Sequence, residues 1–240
     1  MEAVEHAPAR VLAIMAHPDD PEFTAGGTIA AWRRQGAWVG YVICTGGDKG
    51  SEDITITSAE LVRTREDEQR RAAARLGIQT VEFLGHEDGA LTHTLELRRE
   101  IAAAIRRHKP DTVICFDPTG RFSERNIQHS DHYLSGEAAL AAVYPAARDP
   151  RMFPQLLGDG LEPHMVRYVF MVGSTDPTRW VDIGGTIDDK VDAMLEHTSQ
   201  VKDRTDLAAR FRSMAQAAGA AARPEPLEFA EGFGFIHLAR

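Results

Sequence analysis

Short runs of apolar residues recur through the first 150 residues and are separated by longer segments of mixed polarity. The run RVLAIMA at 10–16 is almost wholly apolar and is followed by His-Pro, which is typical of a strand buried on both faces of a parallel sheet. Further runs of this kind lie at 38–45, 80–85 and 111–116. The pattern therefore predicts four buried strands in this part of the chain.

Helices are predicted between these strands. Thr57 and Glu60 form a capping box, in which each side chain bonds the backbone of the other residue at a helix start. The predicted helices cover 24–35, 57–77, 94–108 and 131–147. Alternation of strands and helices implies right-handed crossovers, so we predict an α/β fold with a Rossmann-like, doubly wound and mainly parallel sheet.

The pattern is looser after residue 150. Strands are predicted at 166–172 and 180–183, a helix at 186–200, and a surface loop in the Ala- and Pro-rich segment 217–226. We expect a single domain over 1–240, made of a Rossmann-like, metal-binding half (1–150) and a smaller C-terminal α/β extension (151–240).

Composition and charge narrow the class of protein. A chain of 240 residues with 43% hydrophobic and 26% charged residues is typical of one globular domain. The net charge of −9 argues against a nucleic-acid partner, because contact with phosphates needs basic surface. No run approaches the roughly 18 apolar residues of a membrane span, and no signal sequence is visible, so we expect no membrane partner and a cytoplasmic location. Cys44 and Cys115 lie in apolar runs and are expected to be buried free thiols.

Two polar clusters follow predicted strands. His17-Pro18-Asp19-Asp20 comes directly after the first strand, and His129-Ser130-Asp131-His132 follows the fourth. In the common strand order 3-2-1-4, the first and fourth strands are neighbours whose following loops diverge, and ligands bind in the crevice between such loops. Both clusters should therefore face one crevice.

The residue types in these clusters suit a catalytic metal. Zinc in enzymes takes three protein ligands and leaves a fourth position for water, and His17, Asp20 and His132 supply such a set. Asp19 is then the candidate general base. His129, as a protonated imidazole, could stabilise the oxyanion and donate a proton to the leaving amine, and Asp131 could orient it and raise its pKa.

The other histidines have no comparable acidic partner in the sequence. We expect structural roles for His6, His86, His93, His108, His164, His197 and His237.

The two clusters together resemble the PIG-L/LmbE family of zinc-dependent N-acetyl deacetylases. Further segments are also similar to that family, among them GGTIAAWRRQG, YVICTGGDKGS, TREDEQRRAA and HTSQ. The resemblance implies His17, Asp20 and His132 as metal ligands, Asp19 as base and His129 as electrostatic catalyst. It also implies Zn²⁺ as cofactor, with Fe²⁺ or another divalent metal as alternatives, and a homo-oligomer, either a trimer or a hexamer.

The resemblance extends to the substrate. Arg65 and Asp88 look like the residues with which relatives acting on N-acetylglucosamine conjugates hold sugar hydroxyls. The expected activity is removal of the acetyl group from an amino sugar such as N-acetylglucosamine or its conjugates. One departure is Ile127, which stands where some relatives have a tyrosine that assists the oxyanion, and Ser130 replaces a frequent proline.

Other functions were considered. A dinucleotide-dependent oxidoreductase would need G-x-G-x-x-G in the first turn, where this chain has His-Pro-Asp-Asp. A non-catalytic metal- or sugar-binding relative also stays an alternative: such a protein would have no need of Asp19, but an inert relative could retain it. An amidase acting on thiol-sugar conjugates stays open as an alternative, because only its substrate distinguishes it.

Overall fold

The computed structural model describes residues 8–124, 126–201 and 204–239, so His6 lies outside the described residues. The strands are β1 (Arg10–Met15), β2 (Trp38–Thr45), β3 (Thr80–His86), β4 (Thr112–Phe116), β5 (Phe122–Ser123), β6 (Asn126–Ile127), β7 (Tyr168–Val172), β8 (Arg179–Asp182) and β9 (Ala230–His237). The helices are α1 (Asp20–Arg34), α2 (Ser58–Arg75), α3 (Leu95–His108), α4 (Ser130–Ala141), α5 (Gln155–Gly158), α6 (Ile187–Met194) and α7 (Arg204–Ala221). A π-helical segment, Ala142–Ala146, continues α4.

Seven of the described strands form one sheet in the order β3-β2-β1-β4-β7-β9-β8. The strands β3, β2, β1, β4 and β7 run parallel to one another, whereas β9 is antiparallel to both β7 and β8. β5 and β6 pair separately as a short hairpin. The predicted α/β class, the mainly parallel sheet and the strand order 3-2-1-4 are confirmed.

Strand β1 shows why its sequence is almost wholly apolar. Val11, Ala13 and Met15 belong to one buried core, and Leu12 and Ile14 belong to the other. Successive side chains of a strand point to opposite faces, so a strand covered on both sides must be apolar at every position. Helices α1, α2 and α6 contribute to the first core, and α3 and α4 to the second.

Helix α1 begins at Asp20, earlier than the predicted start at residue 24. Pro21 stands in its first turn, where the missing N–H of a proline costs no helical hydrogen bond. This early start places the end of the first polar cluster on the helix itself.

The C-terminal part differs more from the prediction. The helix predicted over 186–200 ends at Met194, because the following side chains bond other elements instead of extending the helix. Helix α7 runs to Ala221, so the loop predicted at 217–226 is wrong for its first half, where alanine favours helix before Pro224. Neither α7 nor β9 was predicted.

Strands β7, β9 and β8 extend the sheet that the first 150 residues begin. β7 pairs with β4, and β9 joins β7 to β8, which supports the proposal of one domain over the whole chain. Cys44 and Cys115 are buried and free, as expected.

The described helices include none that combines the length and apolar character required of a membrane span.

Candidate metal centre

The two polar clusters meet at the carboxyl end of the sheet. His17 and Asp20 lie where β1 passes into α1, and His132 lies in the first turn of α4, which follows β4 and the β5–β6 hairpin. β1 and β4 are hydrogen-bonded neighbours, so the segments that follow them start side by side. The crevice expected from the strand order is therefore present.

Three donor atoms of this site lie close together. Nδ1 of His17 is 3.3 Å from Nε2 of His132 and 3.5 Å from Oδ2 of Asp20. Nε2 of His132 is 3.3 Å from Oδ1 of Asp20. Ligands at about 2.0–2.1 Å from a tetrahedral zinc ion are about 3.3–3.4 Å apart, so the spacing and the donor types fit a divalent metal.

The other ring nitrogen of His17 faces two carboxylates. Nε2 lies 3.1 Å from Oδ1 of Asp88 and 3.4 Å from Oδ2 of Asp131. Burial opposes the charged imidazole, but hydrogen bonds to Asp131, Asp20 and Asp88 outweigh it and raise the pKa of His17 to about 12. A metal bound at Nδ1 would replace the proton on that nitrogen, while the N–H at Nε2 would keep its hydrogen bonds to the two carboxylates.

Asp20 and His132 are each held in place. Oδ2 of Asp20 accepts the backbone N–H of His17 at 2.7 Å. Burial works to raise the pKa of Asp20, but the charge of His132 and the hydrogen bonds from both histidines lower it. The ring of His132 stacks on Phe116, with centroids 4.1 Å apart and planes 6° from parallel. Asp20 is thus ionised, and Asp20 and His132 are both oriented, before any metal binds.

Asp19 lies beside this set with its side chain 21% exposed. Burial raises the pKa of Asp19 to about 6, against the opposing charge of Arg65, whose Nη2 lies 3.2 Å from the carboxylate. A carboxylate with this pKa can accept a proton at neutral pH and release it again.

Arg65 is buried and makes contacts that the sequence did not predict. Its Nη1 donates to the carbonyl of Gly47 at 3.0 Å, and its Nη2 donates to the carbonyl of Pro18 at 2.7 Å as well as to Asp19. The guanidinium therefore ties the loop after β2 to the loop after β1. Its predicted contact with sugar hydroxyls stays a prediction.

Asp88, which follows β3, is also buried, and each of its carboxylate oxygens has a polar partner. Oδ1 faces His17, and Oδ2 accepts the backbone N–H of Lys49 at 3.3 Å. These contacts place Asp88 behind His17, a predicted metal ligand. Hydroxyl binding by Asp88 likewise stays a prediction.

The Asp131 carboxylate is directed towards residues other than His129, and its predicted action on His129 stays a prediction. The Asp131 carboxylate accepts the backbone N–H of Gly89 at 2.7 Å and faces His17, because the start of α4 turns it inward. Burial and the charge of His17 lower the pKa of His129, although the charge of Asp131 acts in the other direction. The lowered pKa favours the neutral imidazole of His129.

The orientation of His129 follows from its backbone contact. The N–H of Asp131 donates to Nδ1 of His129 at 3.2 Å, so the proton of the neutral ring lies on Nε2. That nitrogen is 3.8 Å from Oδ1 of Asp88, and the side chain is 45% exposed. His129 thus presents an N–H donor at the accessible side of the metal centre.

Five of the remaining histidines have polar partners away from the centre. His86, His108 and His197 contact Glu100, Glu82 and Glu22, His93 contacts Arg98, and His164 contacts the carbonyl of Pro110. His197 differs from the others because its partner, Glu22, connects to Asp19 through Gln69. This connection is not predicted from the sequence, although the TREDEQRRAA and HTSQ segments that contain Gln69 and His197 both resemble the family.

A doubly wound α/β sheet with two histidines and a carboxylate at its switch point defines a class of Rossmann-like proteins with a metal centre. Within that class, residues 12–143 match the PIG-L family, described as GlcNAc-PI de-N-acetylase, and the chain belongs to that family.

Named relatives agree with this assignment. The diacetylchitobiose deacetylase of Thermococcus kodakarensis is 33% identical over 191 residues, covering 80% of this chain and 70% of that protein. The 1D-myo-inositol 2-acetamido-2-deoxy-alpha-D-glucopyranoside deacetylase of Rhodococcus erythropolis is 30% identical over 239 residues, covering 80% of this chain and 81% of that protein.

A solved structure matches almost the whole chain. The N,N'-diacetylchitobiose deacetylase of Pyrococcus horikoshii, solved with an inhibitor, superposes with a TM-score of 0.86 and 27% identity over 96% of this chain and 84% of its own. The expected family and the expected class of enzyme, a de-N-acetylating hydrolase, are confirmed.

Proposed function

We propose that this chain is a zinc-dependent deacetylase that hydrolyses the N-acetyl group of an amino sugar, such as N-acetylglucosamine or one of its conjugates. The observation that carries the proposal is the His17, Asp20 and His132 donor triangle with Asp19 beside it. Both named sequence relatives are deacetylases of acetamido sugars, which supports this substrate class.

Two imidazoles and one carboxylate are a donor set of catalytic zinc sites, and Fe²⁺ is the alternative that the same donors accept. When bound there by His17, Asp20 and His132, the metal supplies Lewis-acid polarisation of the acetyl carbonyl and a water of lowered pKa.

Asp19 accepts the proton of the attacking water. Its raised pKa makes it a base strong enough for this step, and its contact with Arg65 holds the carboxylate in place. When the C–N bond breaks, the protonated Asp19 returns the proton to the leaving amine. This assignment replaces the expected donor, His129, because a neutral imidazole with a lowered pKa is a poor source of that proton.

His129 stabilises charge on the acetyl oxygen. Its Nε2–H donates a hydrogen bond where negative charge develops, and such a donor contributes mainly in the transition state. The Asp131 backbone keeps the ring in the required tautomer. The Asp131 carboxylate holds His17 from behind, so we propose a positioning role for it rather than direct contact with the substrate.

The test is release of free amine, with acetate measured alongside, by the zinc-loaded protein from a set of four substrates: N-acetylglucosamine, its β-linked dimer, an amide-linked thiol-sugar conjugate and an acetyl-lysine peptide. The two acetylated sugars should be turned over and the peptide should not. Preferred cleavage of the thiol-sugar conjugate would favour the amidase alternative, and equal turnover of peptide and sugar would refute the substrate assignment. Binding of sugar without turnover would favour the non-catalytic alternative.

Elemental analysis tests the metal ligands separately from turnover. The protein should hold about one divalent metal per chain, and His17→Ala or His132→Ala should lose most of it. His93→Ala is the matched control, because His93 contacts Arg98 outside the centre and should leave the metal content unchanged. Full metal content in both ligand variants would overturn the assignment.

The cytoplasmic location and the homo-oligomer, trimer or hexamer, stay predictions. Light scattering coupled to size-exclusion chromatography tests the oligomer.

A further inference from the structure

The backbone of Asp19 has an uncommon conformation. Its φ is 98°, in the left-handed region that residues with a side chain seldom adopt. Such a conformation persists only where surrounding contacts determine it, and it often occurs at functional sites. The contacts that hold this residue therefore bear on the placement of its carboxylate.

A buried glutamine side chain bonds both ends of the turn that contains Asp19. Oε1 of Gln69, on α2, accepts the backbone N–H of Asp19 at 2.8 Å. Nε2 of Gln69 donates to both carboxylate oxygens of Glu22, each at 3.0 Å. Because the Asp19 N–H can only donate and the carboxylate can only accept, the orientation of the amide is determined. Gln69 and Glu22 are both 0% exposed.

The far side of Glu22 is occupied by a buried histidine. Nε2 of His197 lies 3.2 Å from Oε2 of Glu22, and His197 is itself 0% exposed. His197 opens the HTSQ segment, 197–200, which packs against α2 through further hydrogen bonds. Thr198 and Ser199 bond the Glu68 carboxylate at 2.6–2.8 Å. The segment thus joins α2 and the start of α1.

We propose that Gln69, Glu22 and His197 are positioning residues that hold the backbone of Asp19 in its left-handed conformation and so keep its carboxylate beside the metal centre. The inference rests on the proposed function, in which Asp19 is the general base. The hydrogen bonds that run from His197 through Glu22 and Gln69 end at the backbone amide of Asp19. A contact that stabilised only the core would not need to reach this amide. Displacement of a reacting group by about 1 Å can cost about 10²-fold in rate.

Glu68 provides a matched control on the same helix. It is as buried as Gln69, at 1% exposed, and it bonds the same HTSQ segment, but its carboxylate accepts hydrogen bonds from Thr198 and Ser199 and not from Asp19. Gln69→Leu should lower kcat by about 10- to 100-fold, with KM within about twofold and zinc content unchanged. Glu68→Gln should lower the melting temperature and keep kcat within about twofold. A kcat within about twofold of the parent enzyme in Gln69→Leu would overturn the proposal.

An exchange of the two side chains tests the bond itself and keeps the size and total charge of the pair. Gln69→Glu places two carboxylates together, and Glu22→Gln places two amides together, so each single variant should lose kcat. The double variant restores one amide and one carboxylate with an acceptor still facing the Asp19 N–H. Its kcat should return to within about threefold of the parent enzyme. A double variant whose kcat is no higher than that of the single variants would overturn the proposal. If Gln69→Leu does not fold, this exchange experiment tests the proposal in its place.

Amide hydrogen exchange at Asp19 gives a readout that needs no substrate. In the zinc-loaded protein, Gln69→Leu should speed exchange of the Asp19 amide by about tenfold or more, whereas Glu68→Gln should not. Unchanged exchange in Gln69→Leu would refute the positioning role. A parent enzyme that releases no acetate would instead refute the proposed function and leave this measurement to decide the role of Gln69.

Discussion

The Asp88 carboxylate and the His17 imidazole meet on the side of the ring that faces away from the other two predicted metal ligands. Oδ1 of Asp88 lies 3.1 Å from Nε2 of His17, while Nδ1 of His17 faces Asp20 and His132. A carboxylate in this position fixes the tautomer and orientation of a ligand histidine and increases its basicity. We therefore expect Asp88 to contribute to metal binding independently of any sugar.

Asp88→Ala should weaken zinc binding by about 10- to 100-fold, because His17 loses a partner that orients it. Competition with a fluorescent zinc chelator measures the change. Glu87→Ala is the matched control, since that neighbouring exposed carboxylate bonds only the side chain of Lys49 among the contacts described here. If Asp88 served only to bind sugar hydroxyls, its variant would keep the parent affinity for zinc and raise KM alone.

Asp19→Asn should keep zinc and lose turnover by about 10²- to 10⁴-fold, the range expected for removal of a general base. In the parent enzyme the ionised Asp19 is the active form, and its pKa is raised to about 6. Activity should therefore fall as the pH drops through about 6. The pH profile of kcat/KM measures this loss of activity. An inflection near pH 6 that persists in Asp19→Asn would show that another group causes the loss at acid pH.

Much of the fold, and the meeting of the two polar clusters at the candidate metal site, could be predicted from local sequence. β1 is buried on both faces, so its position is visible as an unbroken apolar run, and the residues that follow such a strand in a doubly wound sheet lie at the ligand-binding edge. The prediction of β1, β2, β3 and β4 depended only on such runs.

Contacts between distant segments could not be predicted in this way. Gln69 and Asp19 are 50 residues apart, and nothing local in α2 distinguishes a glutamine that bonds the active-site turn from one that faces solvent. The same holds for Asp131, whose side chain faces His17 and not its sequence neighbour His129. β9 was missed because Gly232 and Gly234 interrupt its apolar pattern, and its partners β7 and β8 come much earlier in the chain.

Glu82→Gln should lower stability in a pH-dependent way. Its carboxylate bonds His108, and Arg107 donates to it at 2.7 Å. The hydrogen bond from His108 lowers the pKa of Glu82 below its ordinary 4.5, although burial acts in the other direction. Folding thus favours the ionised form, and the stabilisation is present above the ordinary pKa and is lost as the pH falls through the lowered one.

At pH 6 the variant should therefore lose about 0.5–1 kcal/mol of unfolding free energy, and the difference should shrink towards about pH 3. Urea denaturation at both pH values measures it. Glu96→Gln is the control, because Glu96 is more exposed and lies 3.7 Å from its partner Arg99. A difference that grows towards acid pH would contradict the assigned sign.

His129 should act through its N–H donor and not through a positive charge, because burial and the charge of His17 lower its pKa. His129→Ala should keep zinc and lower kcat by about 10²- to 10³-fold, the cost of removing one oxyanion donor. His129→Gln places an amide N–H near the position of Nε2 and should recover about tenfold of that loss. Steady-state kinetics of both zinc-loaded variants measures the effect. Equal losses of kcat in the two variants would contradict the donor role. If activity of the parent enzyme falls at alkaline pH and this fall disappears in His129→Ala, the active form of His129 would be a charged imidazolium instead.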